Sequence, residues 1–450
     1  MPYWDMPYGG RGRGTMTRPD EPYYVMYDAD FGLSGLAGRP EREPVSVPLP
    51  GGGADGDEQI GVDARSLLAS GLPEPVIRTL WLAADRGRFD PAGPGGTVRS
   101  WLTAWSEAYP PPAPKKRPQG GTYISAVTPY FYPRPVLVEA ELRAAVLAEI
   151  DLLAADLARA VPVPGAVGAL RSAVAEAGAD LGLRLLLRTL KAHSVRVDKA
   201  CHDRFVALGD TFEYCFAVIT DGLDVDWPPL DVDRRDSAWD FGLSALAERF
   251  AGDWHDRTAR ETVRLAADSD GVGQTPGSAA ALLLADVTRL LGSPLSPDTL
   301  GTLWLAACDG GYRIDRFSID VRHWLELVAD VCREHLREVA PGHRAGAPPA
   351  PPGPVAEVLR ELRDLAPELA DRSVQPMWHP VPGAAVVRAL EEVVAEVDPD
   401  LGFRLFLRAL VAMAVPLSEE RYARLLALGE RFGYGEFHVS QVDGFVQRDL

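Results

Sequence analysis

Asp400–Tyr434 reads DLGFRLFLRALVAMAVPLSEERYARLLALGERFGY, and Asp180–Tyr214 reads DLGLRLLLRTLKAHSVRVDKACHDRFVALGDTFEY. The two stretches align without a gap at an offset of 400 − 180 = 220 residues. Asp-Leu-Gly, the Arg-Leu-x-Leu-Arg core, Ala-Leu-Gly and the closing aromatic Tyr fall in register. Self-similarity at a fixed spacing is the mark of a repeated supersecondary unit, so the chain reads as an internal duplication.

Each copy predicts a helix pair. Leu401–Val415 is apolar apart from Arg404 and Arg408, which are four residues apart and therefore share one narrow face, the rest of the helix being buried. Pro416 ends the run. Ser418 is placed to cap the next helix, with Glu419 and Glu420 at its positive end. Tyr422, Leu425, Leu426 and Gly429 form one buried stripe, and Gly433 is a C-terminal stop.

Working outward, Thr79–Ala84 (TLWLAA) matches Thr302–Ala307 (TLWLAA), and Val98–Leu102 matches Val321–Leu325, both at an offset of 302 − 79 = 223. Asp30-Phe31-Gly32-Leu33-Ser34 is repeated as Asp240-Phe241-Gly242-Leu243-Ser244. This string copies the magnesium-loop motif of protein kinases. No His-Arg-Asp loop, Val-Ala-Ile-Lys strand or glycine-rich phosphate loop accompanies it, so it reads as a helix start that packs. A weaker match of Pro294-Leu295-Ser296 to Pro416-Leu417-Ser418 divides each half into two related helix-pair units.

The expected fold is therefore all-α. A tail covers residues 1–25. Helical halves cover residues 26–228 and 238–450, and an acidic linker at 229–237 joins them. Proline-rich spacers fall inside the halves at 110–121 and 341–354. Tyr123–Val138 has the residue types of one short strand.

The 450 residues are 46% hydrophobic with a formal net charge of −18, which argues against nucleic acid or anionic membrane as a partner and favours a basic protein. No window approaches the ~20 apolar residues of a membrane span, and the first residues lack the apolar run of a signal peptide. Four cysteines without a Cys-x-x-Cys do not make a secreted disulfide framework, so the expected compartment is the cytoplasm.

Chemistry is hard to place. Asp221, Asp224, Asp226, Asp231, Asp233 and Asp236 form the densest acidic stretch, but no EF-hand loop fits them. They read as a solvated linker or as an anionic patch for a basic partner. The eight histidines form no His-x-x-x-His or His-Glu-x-x-His, and Cys201 and His202 diverge on a helix. His202 aligns with Tyr422 and His193 with Met413, so bulk serves in the other half. No nucleophile elbow, dinucleotide loop or phosphate loop is present. Trp81, Trp101, Trp304 and Trp324 read as core, or as the lining of a ligand cavity. No cofactor, metal or catalytic residue is assigned.

Asp400, Gly402, Pro416, Leu417, Ser418, Tyr422, Leu425, Gly429 and Tyr434, with Asp180, Gly182, Phe205, Gly209 and Tyr214 in the first half, resemble the helix pair of small helical immunity proteins of bacterial toxin systems, the MafI type among them. Val197 and Asp198 replace the Leu-Ser of that pattern, and the likeness covers only the helix-pair windows. It implies a cytoplasmic, non-enzymatic protein that binds and occludes another protein. Two other readings stay open: a helical scaffold or adaptor, and a helical metal-dependent hydrolase or transferase with a tryptophan-lined pocket.

Overall fold

The computed structural model describes residues 15–16, 24–25, 29–39, 57–93, 95–110, 138–212, 214–237, 239–252, 254–271, 273–317, 319–344, 353–375, 379–435 and 437–448. Most of the tail, most of both proline-rich spacers and almost all of the strand expected at Tyr123–Val138 lie outside these residues. The chain is all-α and divides into two compact units, Met1–Asp226 and Trp227–Leu450.

Unit 1 contains α1 (Gly32–Gly38), α2 (Gln59–Ala69), α3 (Glu74–Ala84), α4 (Val98–Ala108), α5 (Glu139–Leu152), α6 (Ala154–Ala160), α7 (Ala166–Ala177), α8 (Ala179–Ala192), α9 (Lys199–Phe212) and α10 (Phe216–Thr220). Unit 2 contains α11 (Gly242–Ala251), α12 (Ala259–Ala267), α13 (Ser278–Leu291), α14 (Pro297–Ala307), α15 (Val321–Val339), α16 (Val355–Ala370), α17 (Gly383–Glu396), α18 (Pro399–Ala412) and α19 (Glu419–Phe432). Strands are two residues long. Val197–Asp198 pairs in parallel with Val225–Asp226, and Leu417–Ser418 pairs in parallel with Val446–Gln447. In each case the strand enters the last long helix and pairs with the segment that follows that helix.

The central helices of the two units, α8 and α18, are buried on nearly every side. Their glycines explain how. A Cβ at Gly182 would lie 2.4 Å from Val174 of α7, and one at Gly402 would lie 2.3 Å from Val394 of α17. The Asp-Leu-Gly motif thus marks a close helix crossing, which a side chain would wedge apart. The second shared glycine works the same way: a Cβ at Gly209 would meet Ile219, and one at Gly429 would meet Val439. Ser418 caps α19 by accepting the Arg421 N–H, and Gly433 ends it in the left-handed region at φ +76°.

Polar side chains then lock the helix ends. Arg99 donates to the Leu68 and Leu72 carbonyls, and Arg322 donates to those of Leu291 and Leu295. The Trp81 indole donates to the Phe89 carbonyl, as that of Trp304 does to Tyr312, each at 2.9 Å. Trp81 packs against Trp101 and Trp304 against Trp324, all four buried. Voids beside Trp81 and Trp101 in unit 1, and beside Trp304 in unit 2, measure about 10 Å³ each, room for about one water. These tryptophans line core, not a ligand-sized cavity.

Two expectations need correction. Arg404 and Arg408 form no solvent-facing stripe; they are 0% and 4% exposed. Nor do residues 229–237 form a free linker. Leu230 and Val232 pack on the unit 2 core and Arg235 is buried within it.

Unit 2 therefore begins before its first helix. A chain of residues 227–450 is expected to unfold in one cooperative transition by circular dichroism, and residues 236–450, lacking Arg235, to melt several degrees lower. Equal melting temperatures would show that Arg235 contributes nothing. Leu405 is 2% exposed on α18. Leu405→Asp is expected to cost more than about 4 kcal/mol in denaturant titrations, because it places an unpaired charge in the core.

Candidate functional site

Each unit encloses a guanidinium clamped by carboxylates. In unit 1 the Arg184 guanidinium donates to both Asp63 oxygens, at 2.6 and 2.7 Å, and to Asp180 Oδ2 at 2.5 Å. In unit 2 Arg404 donates to both Asp286 oxygens, at 2.9 and 2.8 Å, and to Asp400 Oδ2 at 3.1 Å. A tyrosine closes each cluster from the loop after the last long helix. The Tyr214 hydroxyl donates to Asp180 Oδ1 at 2.6 Å, and that of Tyr434 to Asp400 Oδ1 at 2.6 Å.

The Asp-Phe-Gly strings supply the fourth side. Phe31 and Phe241 are the N-cap residues of α1 and α11, and the two guanidiniums lie 4.6 and 4.5 Å from their ring centroids. The glycine that follows has φ of +62° in unit 1 and +64° in unit 2. A Cβ there would lie 2.1 Å from Asp63 Oδ2 or Asp286 Oδ2. The next N–H, of Leu33 or Leu243, donates to the same oxygen at 2.9 Å. So the motif resembling a magnesium loop brings a helix N-terminus onto a carboxylate that already holds an arginine.

The electrostatics follow from this packing. Burial opposes the charge on Arg184 and Arg404, but Asp63 and Asp180, or Asp286 and Asp400, raise both well above the ordinary arginine value. Burial alone would raise Asp180 and Asp400; the adjacent arginines and tyrosine hydroxyls bring both below the ordinary carboxylate value. Burial pushes Tyr214 and Tyr434 up, so they remain neutral donors.

The units differ around this shared core. In unit 2 Arg235 donates through Nε to Asp400 Oδ2 at 3.0 Å. Arg289 lies 3.1 Å from Asp398 but off the hydrogen-bonding direction. Ser66 and Gly178 stand at the matching sequence positions, so that pair is absent from unit 1. Asp30 of unit 1 is paired with Lys191 at 2.7 Å and faces Arg188 at 3.6 Å. Asp240 of unit 2 instead faces His438 at 3.8 Å, with Val411 at the position matching Lys191.

Of the acidic stretch singled out from sequence, Asp221 and Asp226 are exposed at the end of unit 1. Asp224 is half-buried, 3.5 Å from Arg196. Asp231, Asp233 and Asp236 are exposed at the start of unit 2, where Asp236 pairs with Arg234 and Asp231 accepts the Asp233 N–H. Among the described residues, no group of three His, Cys, Asp or Glu side chains is arranged to hold a metal ion. The Cys201 and Cys332 thiols are pushed up to about 12 by burial, with Glu149 adding to the effect at Cys201. Burial also pushes Cys308 up to about 11. Thiols held in this state are poor nucleophiles.

Sequence reasoning missed Asp63 and Asp286. They lie at the offset that relates the tryptophan helices, 286 − 63 = 223, where Leu67, Leu68, Ser70 and Leu72 also match Leu290, Leu291, Ser293 and Leu295, so extending that match upstream is the signal that would have found them. Comparison of the chain with family models, with curated proteins and with solved structures finds no match in any of the three.

The pH dependence has a defined sign. Asp180 and Asp400 are depressed, so they contribute stability above the ordinary carboxylate value, and that stability is lost as pH falls through their lower folded values. His193 and His438 are lowered by burial, so their contribution is full above about pH 6.5 and declines on acidification. Burial raises Asp85, Glu248, Asp270, Asp309 and Asp398, which gain on acidification and offset the histidine loss, so denaturant titrations should show the main loss below about pH 4. Asp400→Asn is expected to be less stable at pH 7 and to show a shallower acid loss; parallel profiles would show that Asp400 is not held ionised.

Proposed function

We propose that the chain is a non-enzymatic protein-binding module that captures a basic partner, built as two copies of one helical unit. The observation that carries this reading is the distribution of charge. The chain has a formal net charge of −18, and five of the six aspartates between Asp221 and Asp236 are exposed. Among the described residues seven acids (Asp63, Asp85, Glu149, Asp286, Glu361, Asp398 and Asp400) are buried against four arginines (Arg184, Arg235, Arg404 and Arg408), so burial removes only a small part of the net negative charge and most of it stays at the surface. An acidic exterior speeds capture of a basic protein and fixes its orientation.

Other features agree with a binding role. The carboxylates and guanidiniums of the two buried clusters are held in ion pairs with one another. Among the described residues, no helix is long and apolar enough to cross a membrane. Cys201, Cys215, Cys308 and Cys332 are all free thiols, which fits a reducing compartment such as the cytoplasm. The resemblance of the helix pairs to MafI-type immunity proteins makes a toxin inhibitor the specific form of this proposal, with a basic, nucleic-acid-directed toxin as its occluded partner.

The test is a pull-down from the native host with the full chain as bait, at 0.05 and at about 0.5 M salt, where the screening length shortens several-fold. A stoichiometric basic protein recovered at low salt and released at high salt is expected. Purification with a bound small molecule and no protein partner would overturn the proposal in favour of an enzyme.

A further inference from the structure

Unit 2 carries a pair of aromatic rings that its core does not use. Trp239 and Phe437 stack with 4.8 Å between ring centroids and 28° between ring planes, although they come from opposite ends of the unit's sequence. Trp239 is 59% exposed and Phe437 is 39% exposed. One exposed apolar side chain is ordinary, but two large rings stacked in water make a patch of the kind that anchors protein contacts. The patch is held from beneath. Each ring precedes a member of a buried pair, Asp240 and His438, whose side chains lie 3.8 Å apart. The His438 ring packs on Phe241 and Tyr434, with centroids at 5.2 and 4.1 Å, and its Nδ1 lies 3.4 Å from the Trp239 carbonyl.

The same place holds a carboxylate that no cation neutralises. Asp240 Oδ1 accepts from the Phe241 N–H at 2.8 Å and from the Ser244 hydroxyl at 2.6 Å. Its Oδ2 is buried without a hydrogen-bond partner, and among the described residues no lysine or arginine is paired with it. Burial holds the His438 imidazole below its ordinary value, so it brings no charge at pH 7. Unit 1 shows the alternative. There the matching Asp30 meets Lys191 at 2.7 Å and Arg188 at 3.6 Å, and Ala29 and Ala217 stand at the positions of the two rings. The exposed rings and the unneutralised carboxylate therefore occur together in one copy and are absent together from the other.

We propose that Trp239 and Phe437 anchor an arginine side chain of a basic protein partner, with the guanidinium lying on the open face of the Trp239 indole. Phe437 covers one face of that ring, and the exposure of Trp239 leaves the other to solvent. A cation is attracted to an aromatic face, most strongly to that of tryptophan, and the adjacent Asp240 carboxylate adds to the attraction. Exposed Asp231 and Asp233, eight and six residues ahead of Trp239, extend the negative field. Arginine is favoured over lysine because its planar guanidinium stacks on the ring and is more weakly hydrated. The proposal rests on the reading that the chain captures a basic partner, and it names the contact.

The test is calorimetric titration of the full chain with a blocked (Gly-Arg)4 peptide at about 0.15 M salt, and with uncharged (Gly-Gln)4 for comparison. The wild type is expected to bind the arginine peptide at one site and (Gly-Gln)4 at least tenfold more weakly. Trp239→Ala should weaken the arginine peptide at least fivefold, and Phe437→Ala by a smaller factor. If Trp239→Ala misfolds by circular dichroism, the Trp239 indole N–H resonance, assigned by its loss in Trp239→Phe, decides the matter: it should shift as the arginine peptide is added. Arginine-peptide binding unchanged by either variant, or an indole resonance that does not move, would overturn the anchor while leaving an acidic surface that attracts basic partners. Equal binding of the two peptides would overturn the choice of a cation. Binding of neither peptide would overturn both the anchor and the basic-partner reading.

Discussion

A buried guanidinium with two carboxylates is costly to desolvate, and its attraction repays that cost only when the geometry is good and the hydrogen-bonding directions are largely met, as they are at Arg184 and, apart from Nε, at Arg404. Arg184 and Arg404 impose that condition on their units. Each is 0% exposed in its side chain, and each must reach a carboxylate from its own helix and one from a helix more than 100 residues away in sequence. The start of α1 or α11, the middle of α2 or α13, the first turn of α8 or α18 and the tyrosine after α9 or α19 therefore have to arrive at one point. The leucine and tryptophan core supplies most of the burial energy, but apolar packing tolerates sliding and exchange. The charged cluster has directions, and these directions set which helix end meets which.

Small residues make that convergence possible. Gly182 and Gly402 let the central helix approach its neighbour closely enough to bring the arginine inside. Gly32 and Gly242 adopt left-handed backbone so that an N–H, not a side chain, faces the carboxylate. Losing either feature leaves an ion pair with an unmet direction, and breaking such a pair by removing one partner costs about 3–5 kcal/mol.

Much of the fold was legible because helix signals are local. The break at Pro416, the Ser418 cap, the Gly433 stop and the buried stripe of α19 all follow from neighbouring residues. The Asp-Phe-Gly strings were legible as packed helix starts. The charge cluster was not. Two arginines four apart on a helix ordinarily signal a surface stripe, and nothing adjacent to Arg404 announces Asp286, 118 residues earlier. Arg235 was hidden for a related reason. It stands among exposed aspartates, whose density reads as a solvated linker, and only the three-dimensional path turns one residue of that segment inward.

The clamp also defines a signature that leucine spacing does not contain. It consists of Asp-Phe-Gly-Leu, an aspartate 30 or 43 residues beyond that leucine, Asp-Leu-Gly-x-Arg, and a tyrosine 34 residues after the last aspartate. The variable interval falls where α12 lies in unit 2, outside the convergence point. Chains that have drifted beyond recognition in their apolar positions can still be identified as bearing this unit by those few residues and intervals, because each is held by geometry that no neighbouring substitution can replace.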